Sequence, residues 1–374
     1  MYCFRAKALL FNPLFRCYFV LNLSLFHNHS MFTEEAAMYE AQCYEKRPDT
    51  KVRCTLCAHR CSIANNQRGL CGVRENRDGT LFSLNYGKII AEQVDPIEKK
   101  PLFHFFPGSK AYSVGTVGCN FHCRHCQNAD ISQYPQEHHG AIVGKTRTPR
   151  ELVARALETG CKSIAYTYNE PTVFMEFAHD TALLAKENGL KNVFVSNGYL
   201  TPEAMDFICP HLDAINIDIK AFSDIFYRDI CQARLAPVLQ SVQIMHDRGV
   251  WVEVTTLVIP GLNDSDEELQ KIADFIASVD PEIPWHVTQF YPTYLMTDRG
   301  RTPAATLHRA RSIGKERGLA HVYEGNIPGT GDENTYCPTC GALCIERNGF
   351  HVVSQNMTEG ICPLCEQTIR GVYA

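Results

Sequence analysis

Between residues 111 and 323 the chain alternates seven β-rich runs with six amphipathic helical stretches, and this alternation narrows the choice of fold more than any other feature. The runs fall at 111–117, 163–168, 193–196, 214–219, 251–259, 286–290 and 321–323. The helical stretches fall at 149–158, 172–188, 202–210, 238–248, 267–278 and 304–317. Strands that alternate with helices build right-handed βαβ units around a parallel sheet. Six units exceed a small sheet and fall short of a closed eight-unit barrel. An α/β fold with a partial (β/α)6 barrel is therefore expected.

The conspicuous polar residues gather at one end of that map. Cys119 follows the first run, Asn169 and Glu170 the second, and Asn197 the third, while Asp218 and Lys220 end the fourth. Residues 255–261 close the fifth, His286 and Gln289 line the sixth, and Gly325 and Asn326 follow the last. Parallel sheets and barrels build their sites at the carboxyl ends of strands. The series points to a single site at the barrel mouth.

Of eighteen cysteines, eleven fall in three clusters. A disulfide framework belongs to small secreted chains without a core, whereas close C-x2-C pairs in a large chain point to metals in a reducing cytosol. Cys119, Cys123 and Cys126 form C-x3-C-x2-C. A [4Fe–4S] cube takes four ligands, so three thiolates leave one iron open for chemistry. The competing reading is a zinc site that borrows a distant fourth ligand. The strand before the motif and the βα repeats after it weigh against that.

The other two clusters each supply four thiolates. Cys337, Cys340, Cys362 and Cys365 closely approach the paired knuckles of a zinc ribbon, a closed and therefore structural site. Between them, 343–354 reads as a hairpin around Asn348-Gly349, a type I′ turn signal. Cys54, Cys57, Cys61 and Cys71 suit zinc or an auxiliary iron–sulfur cluster; spacing does not decide, and zinc is preferred. The remaining Cys3, Cys17, Cys43, Cys161, Cys209, Cys231 and Cys344 read as small buried hydrophobes.

A net charge of −5 leaves no footprint for nucleic acid or an acidic membrane, and 45% apolar with 21% charged residues is the balance of a soluble globular protein. The first thirty residues are apolar and weakly basic, but run 17–26 is about half of the ~20 residues a spanning helix needs. No small-residue cleavage site follows it. Residues 1–37 read as an unstructured leader or as an upstream start before Met31 or Met38, with organelle targeting as the alternative. A cytoplasmic location follows.

The motif Gly-Cys-Asn-Phe-His-Cys-Arg-His-Cys, set after a first strand and before βα repeats, resembles the radical S-adenosylmethionine (radical SAM) superfamily over about 101–326. The resemblance implies a cluster whose open iron is chelated by SAM, and a 5′-deoxyadenosyl radical that abstracts hydrogen from a protein or small molecule. It also implies roles for named residues. Glu170, in Thr-Tyr-Asn-Glu-Pro, would contact the SAM amino group, and Asn197 would orient SAM. Asp218 and Lys220 would lie near its ribose and carboxylate, Val258 and 258–264 near adenine and ribose, and His286 would face the cofactor. Each has a plainer alternative: a helix-terminal charge for Glu170, an ion pair for Asp218 and Lys220, a core histidine for His286.

The opening Cys-Thr-Leu-Cys, the run from Val94 to Leu102 and the cluster motif together resemble the radical SAM enzyme of the AmmeMemoRadiSam system, similar to pyruvate formate-lyase activating enzymes. That resemblance implies Memo-like and AMME-syndrome-related partner proteins and an electron donor. The expected modules are a leader (1–37), a four-cysteine module (38–105), the partial barrel (106–330) and a zinc-ribbon-like module (331–374). A glycyl-radical activating enzyme is one alternative function. A non-catalytic zinc-binding interaction protein is another, and a ribbon-mediated RNA-modifying enzyme, disfavoured by charge, is a third.

Overall fold

A parallel sheet covered on both faces buries its strands along most of their length, and here they are buried even where they carry polar residues such as Asn216, Glu253 and His286. The computed structural model describes residues 38–327 and 333–373. The expected leader, with Cys3, Cys17 and the start at Met31, lies outside the described residues. The main sheet takes its strands in chain order: β1 (Ala91–Pro96), β2 (Lys110–Gly115), β3 (Ser163–Tyr166), β4 (Lys191–Ser196), β5 (Ala214–Asp218), β6 (Trp251–Val258), β7 (Trp285–Gln289) and β8 (Val322–Gly325). Strands β2 to β8 pair in parallel. Every residue of β3 and β7 is buried.

Strand β1 is an addition to the expected set. It runs antiparallel to β2, from Ala91 opposite Gly115 to Pro96 opposite Lys110. Its Pro96 is tolerated because an edge strand need not donate on both sides.

Six helices connect the parallel strands: α1 (Pro149–Glu158), α2 (Met175–Glu187), α3 (Pro202–Ile208), α4 (Leu235–Asp247), α5 (Asp266–Val279) and α6 (Ala304–Glu316). Local chemistry fixes where they begin. Thr148 and Glu151 form a capping box ahead of α1, Thr201 Oγ1 accepts from Ala204 N ahead of α3, and Ser265 caps α5. Pro149 and Pro202 take the first helical position, where the missing N–H costs nothing. In α5 the buried Leu269, Ile272, Ala273 and Ile276 recur at helical spacing, and this stripe joins the main core. The expected 172–188 helix starts with a separate tight turn, Pro171–Phe174, before α2.

Before the sheet, strands Tyr44–Lys46, Val52–Cys54 and Ser62–Ile63 form a small antiparallel sheet that carries the first cysteines. It is bound to the mouth of the main sheet. Ala58 N donates to Tyr199 O at 2.9 Å, and Arg74 pairs with Glu176 on α2 with both side chains 1% exposed.

After the sheet, Leu343–Asn348 and His351–Gln355 form the expected hairpin. Its turn differs from the expected type. Asn348 pairs with His351, so Gly349 and Phe350 are the central residues, and of these only Gly349 has positive φ (59°). Type I′ needs positive φ at both, so the turn follows the glycine-first pattern of type II′.

A buried polar knot fastens this hairpin to the sheet. Arg347 donates to Phe103 O at 2.8 Å and lies over the Phe103 ring, while Glu253 accepts from Phe103 N and His104 N. His104 contacts Tyr323 Oη at 2.6 Å and Arg370 O at 2.9 Å.

Two outcomes are expected. Glu176→Gln leaves the Arg74 charge unmatched in the interior and destabilises by about 3–5 kcal/mol in urea unfolding. Burial lowers His104 from its ordinary 6.5 to about 4. The unfolded chain therefore binds a proton that the folded one refuses, so this contribution is complete above pH 6.5 and is lost as pH falls toward 4. A lower urea midpoint at pH 5 than at pH 7, with a smaller difference in His104→Gln, is the expected result.

Candidate functional site

The C-x3-C-x2-C loop leaves the carboxyl end of β2 through Gly118, whose φ is +95°. A Cβ there would sit 2.5 Å from Val73 Cγ1 and 2.9 Å from Cys71 O, so only glycine lets the loop lie on the first cysteine module. Asn169, at the end of β3, holds the loop base: its Oδ1 accepts from Thr116 N at 3.0 Å and its Nδ2 donates to Gly118 O at 2.8 Å. Farther along, His122 N and Arg124 N donate to Cys231 O and Ile230 O, each at 3.0 Å, in the π-turn Tyr227–Cys231.

The three loop thiols are not gathered around one point. Among the described residues, only two His/Cys/Asp/Glu sets have all ligand atoms within 4.8 Å of one another: the four ribbon cysteines, and Cys123 with His125 and Cys231. Cys119 and Cys126 thiols are pushed up, by burial first. Cys123 is pulled the other way. A hydrogen bond from Cys231 outweighs its burial, and Lys220 adds to the effect.

The expected cofactor-contacting residues fall into a connected group and one outlier. Glu170 is buried, and its Oε1 accepts from Thr172 N at 3.0 Å and Ser196 Oγ at 2.8 Å. Its Oε2 accepts from Asn197 N at 2.8 Å. The helix-terminal reading of Glu170 is thus realised, and the same side chain clamps the turn after β4. Asn197 Nδ2 donates to Asn120 Oδ1 at 2.8 Å, inside the cysteine loop. Asp218 and Lys220 form an ion pair at 2.8 Å. Burial works against the Lys220 ammonium, but Asp218 and the thiols of Cys123 and Cys231 prevail and hold its proton more tightly than usual. Val258 is buried, and Asn263 folds the following turn back through Ile259 N and Leu257 O.

His286 is the outlier. Its Nε2 lies 2.7 Å from Glu253 Oε2, and its ring packs on Phe103 and Tyr323 within the polar knot. It has the surroundings of a satisfied core histidine.

Other residues, to which the sequence gave no cofactor or metal role, belong to this region. Cys231, read as a small buried hydrophobe, is fully buried but its sulfur lies within 4.8 Å of that of Cys123; the reading missed that proximity because it joins two segments far apart in the chain. His125 is buried with neither ring nitrogen partnered, and Asn120 Nδ2 and Thr255 Oγ1 are likewise buried and unpartnered. Within the marker run, Lys100 Nζ bonds Asp95 at 2.7 Å and lies over the Tyr168 ring, beside Asn169 and Glu170.

The other two cysteine sets differ from each other. In the C-terminal set Sγ atoms of Cys337 and Cys365, and of Cys340 and Cys362, are 3.6 Å apart. Cys54, Cys57, Cys61 and Cys71 line one cavity together with His59, Arg74 and Asn120. Cys344 is buried among Ile345, Met357 and Ile369, as expected of an apolar residue. Among the described residues no helix is long and apolar enough to cross a membrane.

A family model described as the radical SAM superfamily matches residues 113–276. An uncharacterized protein of Methanocaldococcus jannaschii is 44% identical over 335 residues, covering 89% of this chain and 99% of the relative. The pyruvate formate-lyase-activating enzyme of Clostridium pasteurianum is 25% identical over 168 residues, 43% of this chain and 67% of that enzyme. Among solved structures, Streptococcus suis SuiB bound to precursor peptide SuiA aligns with a TM-score of 0.47 at 12% identity, over 62% of this chain and 51% of SuiB.

The close approach at Gly118 makes a measurable prediction. Gly160 also has positive φ (+67°) but has nothing within 4 Å of its Cβ position. Gly118→Ala should therefore destabilise by at least ~1 kcal/mol more than Gly160→Ala, because it adds overpacking to the shared backbone strain. Paired denaturant titrations of the two variants read the difference.

Proposed function

This chain belongs to the radical SAM superfamily, and from that premise we propose that Cys119, Cys123 and Cys126 hold a [4Fe–4S] cluster at which SAM is bound and reductively cleaved. The observation that carries the reading is the loop itself. Three thiols at the carboxyl end of β2 stand too far apart for one metal ion, and buried, unpartnered polar atoms of His125, Asn120 and Thr255 accompany them. When bound, the cluster and SAM supply one-electron cleavage to a 5′-deoxyadenosyl radical and the hydrogen abstraction that follows.

The chain's own residues bind, orient and shield. Asn197 positions Asn120 within the cluster loop and is itself fixed by Glu170. Glu170 Oε2 keeps a free lone pair for the amino group of SAM. Asp218 and Lys220 are a preformed charge pair for the polar end of SAM, and the Val258 turn supplies an apolar wall for its adenine. His286 acts one step removed, holding the sheet under the site through Glu253. Cys337, Cys340, Cys362 and Cys365 hold a structural zinc; their short sulfur spacing supports a tetrahedral ion.

The modules are taken as 38–105, 106–330 and 331–374, and the working compartment as the cytoplasm. Protein is the favoured class of substrate. The relatives named as pyruvate formate-lyase and glycyl-radical enzyme activating enzymes support a protein partner. A Memo-like or AMME-syndrome-related protein and a separate electron donor complete the proposal.

Protein reconstituted with iron and sulfide without oxygen, then given SAM and dithionite, is expected to release 5′-deoxyadenosine. Cys123→Ala should lower that release at least ~100-fold by opening a cluster ligand. Equal release from the variant, or none from wild type, would falsify the reading. Installation of a glycyl radical is separated by deuterium transfer from a partner glycine into deoxyadenosine, with a radical signal on that partner.

A further inference from the structure

We propose that Cys54, Cys57, Cys61 and Cys71 bind a second [4Fe–4S] cluster rather than the zinc preferred from the sequence, where spacing did not decide between the two. All four cysteines line a single cavity. Yet among the described residues no three of their sulfurs lie within 4.8 Å of one another. A tetrahedral zinc with 2.3 Å bonds holds its sulfurs ~3.8 Å apart. A cubane binds one thiolate at each iron, with the whole iron–sulfide core between them, so its ligands stand wider. The chain supplies its own calibration. The C-terminal four cysteines have collapsed to zinc spacing, whereas among the described residues neither the N-terminal four nor Cys119, Cys123 and Cys126 bring three sulfurs within 4.8 Å of one another.

A second observation points to an anionic group in the cavity. Arg74 lines it and is 1% exposed, and although Glu176 takes its Nη2, Nε and Nη1 have no partner. Donors this deeply buried are costly unless something accepts from them. Four thiolates around an iron–sulfide core carry net negative charge and sulfur acceptors, and they supply that partner.

The site also has a defined neighbour. Asn120, next to Cys119, forms part of the cavity wall, and its carbonyl is 2.8 Å from His59 Nε2. Gly118, on the other side of Cys119, packs against Cys71 and Val73. The two clusters would be separated by little more than one loop.

The test is iron, acid-labile sulfide and zinc per full-length chain, reconstituted without oxygen. About eight irons and eight sulfides are expected in wild type, and about four of each both in Cys57→Ala/Cys61→Ala and in the triple variant Cys119→Ala/Cys123→Ala/Cys126→Ala. The triple variant, reduced with dithionite, should keep the electron paramagnetic resonance signal of a reduced cubane. This arm stands even if the double variant does not fold. An iron-free triple variant overturns the proposal, as does a wild-type zinc that is lost with Cys57 and Cys61. None of these readings involves SAM, so failure here leaves the proposed reaction standing; if instead the Cys119 loop holds no cluster, wild type falls to about four irons, which the triple variant keeps and Cys57→Ala/Cys61→Ala loses.

Discussion

The molecule depends on one constraint: a parallel sheet buried on both faces needs a helical crossover after every strand. That requirement sends each chain reversal to one of two edges and collects the strand-end loops at the carboxyl edge. Here the collected residues are the cysteine loop after β2, Asn169 and Glu170 after β3, Asn197 after β4, and Asp218 with Lys220 after β5. The site follows from the topology of the sheet, and the side chains then bond to one another across it. Glu170 reaches Asn197, Asn197 reaches Asn120, and Asn169 holds Gly118.

The two flanking modules use the edges in different ways. The N-terminal cysteines lie against the mouth, joined by the Arg74–Glu176 pair and by the contact of Gly118 with Cys71 and Val73. The C-terminal hairpin is tied through Arg347 to the knot of Phe103, His104, Glu253 and Tyr323. His286 belongs to that second junction. A buried acid such as Glu253 needs its donors supplied internally, and His286 and two backbone N–H groups supply them.

Legibility in the sequence tracked the range of the interactions. The bounds of α1 at Pro149 and Glu158 were readable because the cap at Thr148, the first-turn proline and the apolar stripe all lie within ten residues of one another. Strand β1 was not, because Val94-Asp-Pro carries little strand signal and pairs only through a partner brought alongside. The hairpin was readable from Asn348-Gly349, but its turn moved one residue because the bulge between Glu346 and Arg347 resets the register. Cys231 looked like any isolated buried cysteine until the π-turn brought it to Cys123.

By itself the sequence determined the alternation of strands and helices, the three cysteine sets and the edge at which the polar residues gather, since periodicity and spacing are local properties of the chain. Only the tertiary structure decided how far apart the thiols stand, which carboxylate meets which donor, and that His286 joins a core knot. Those are distances between segments remote in sequence. For a metal site such distances are the chemistry: four thiolates drawn together fit one ion, and four held apart leave room for a cluster.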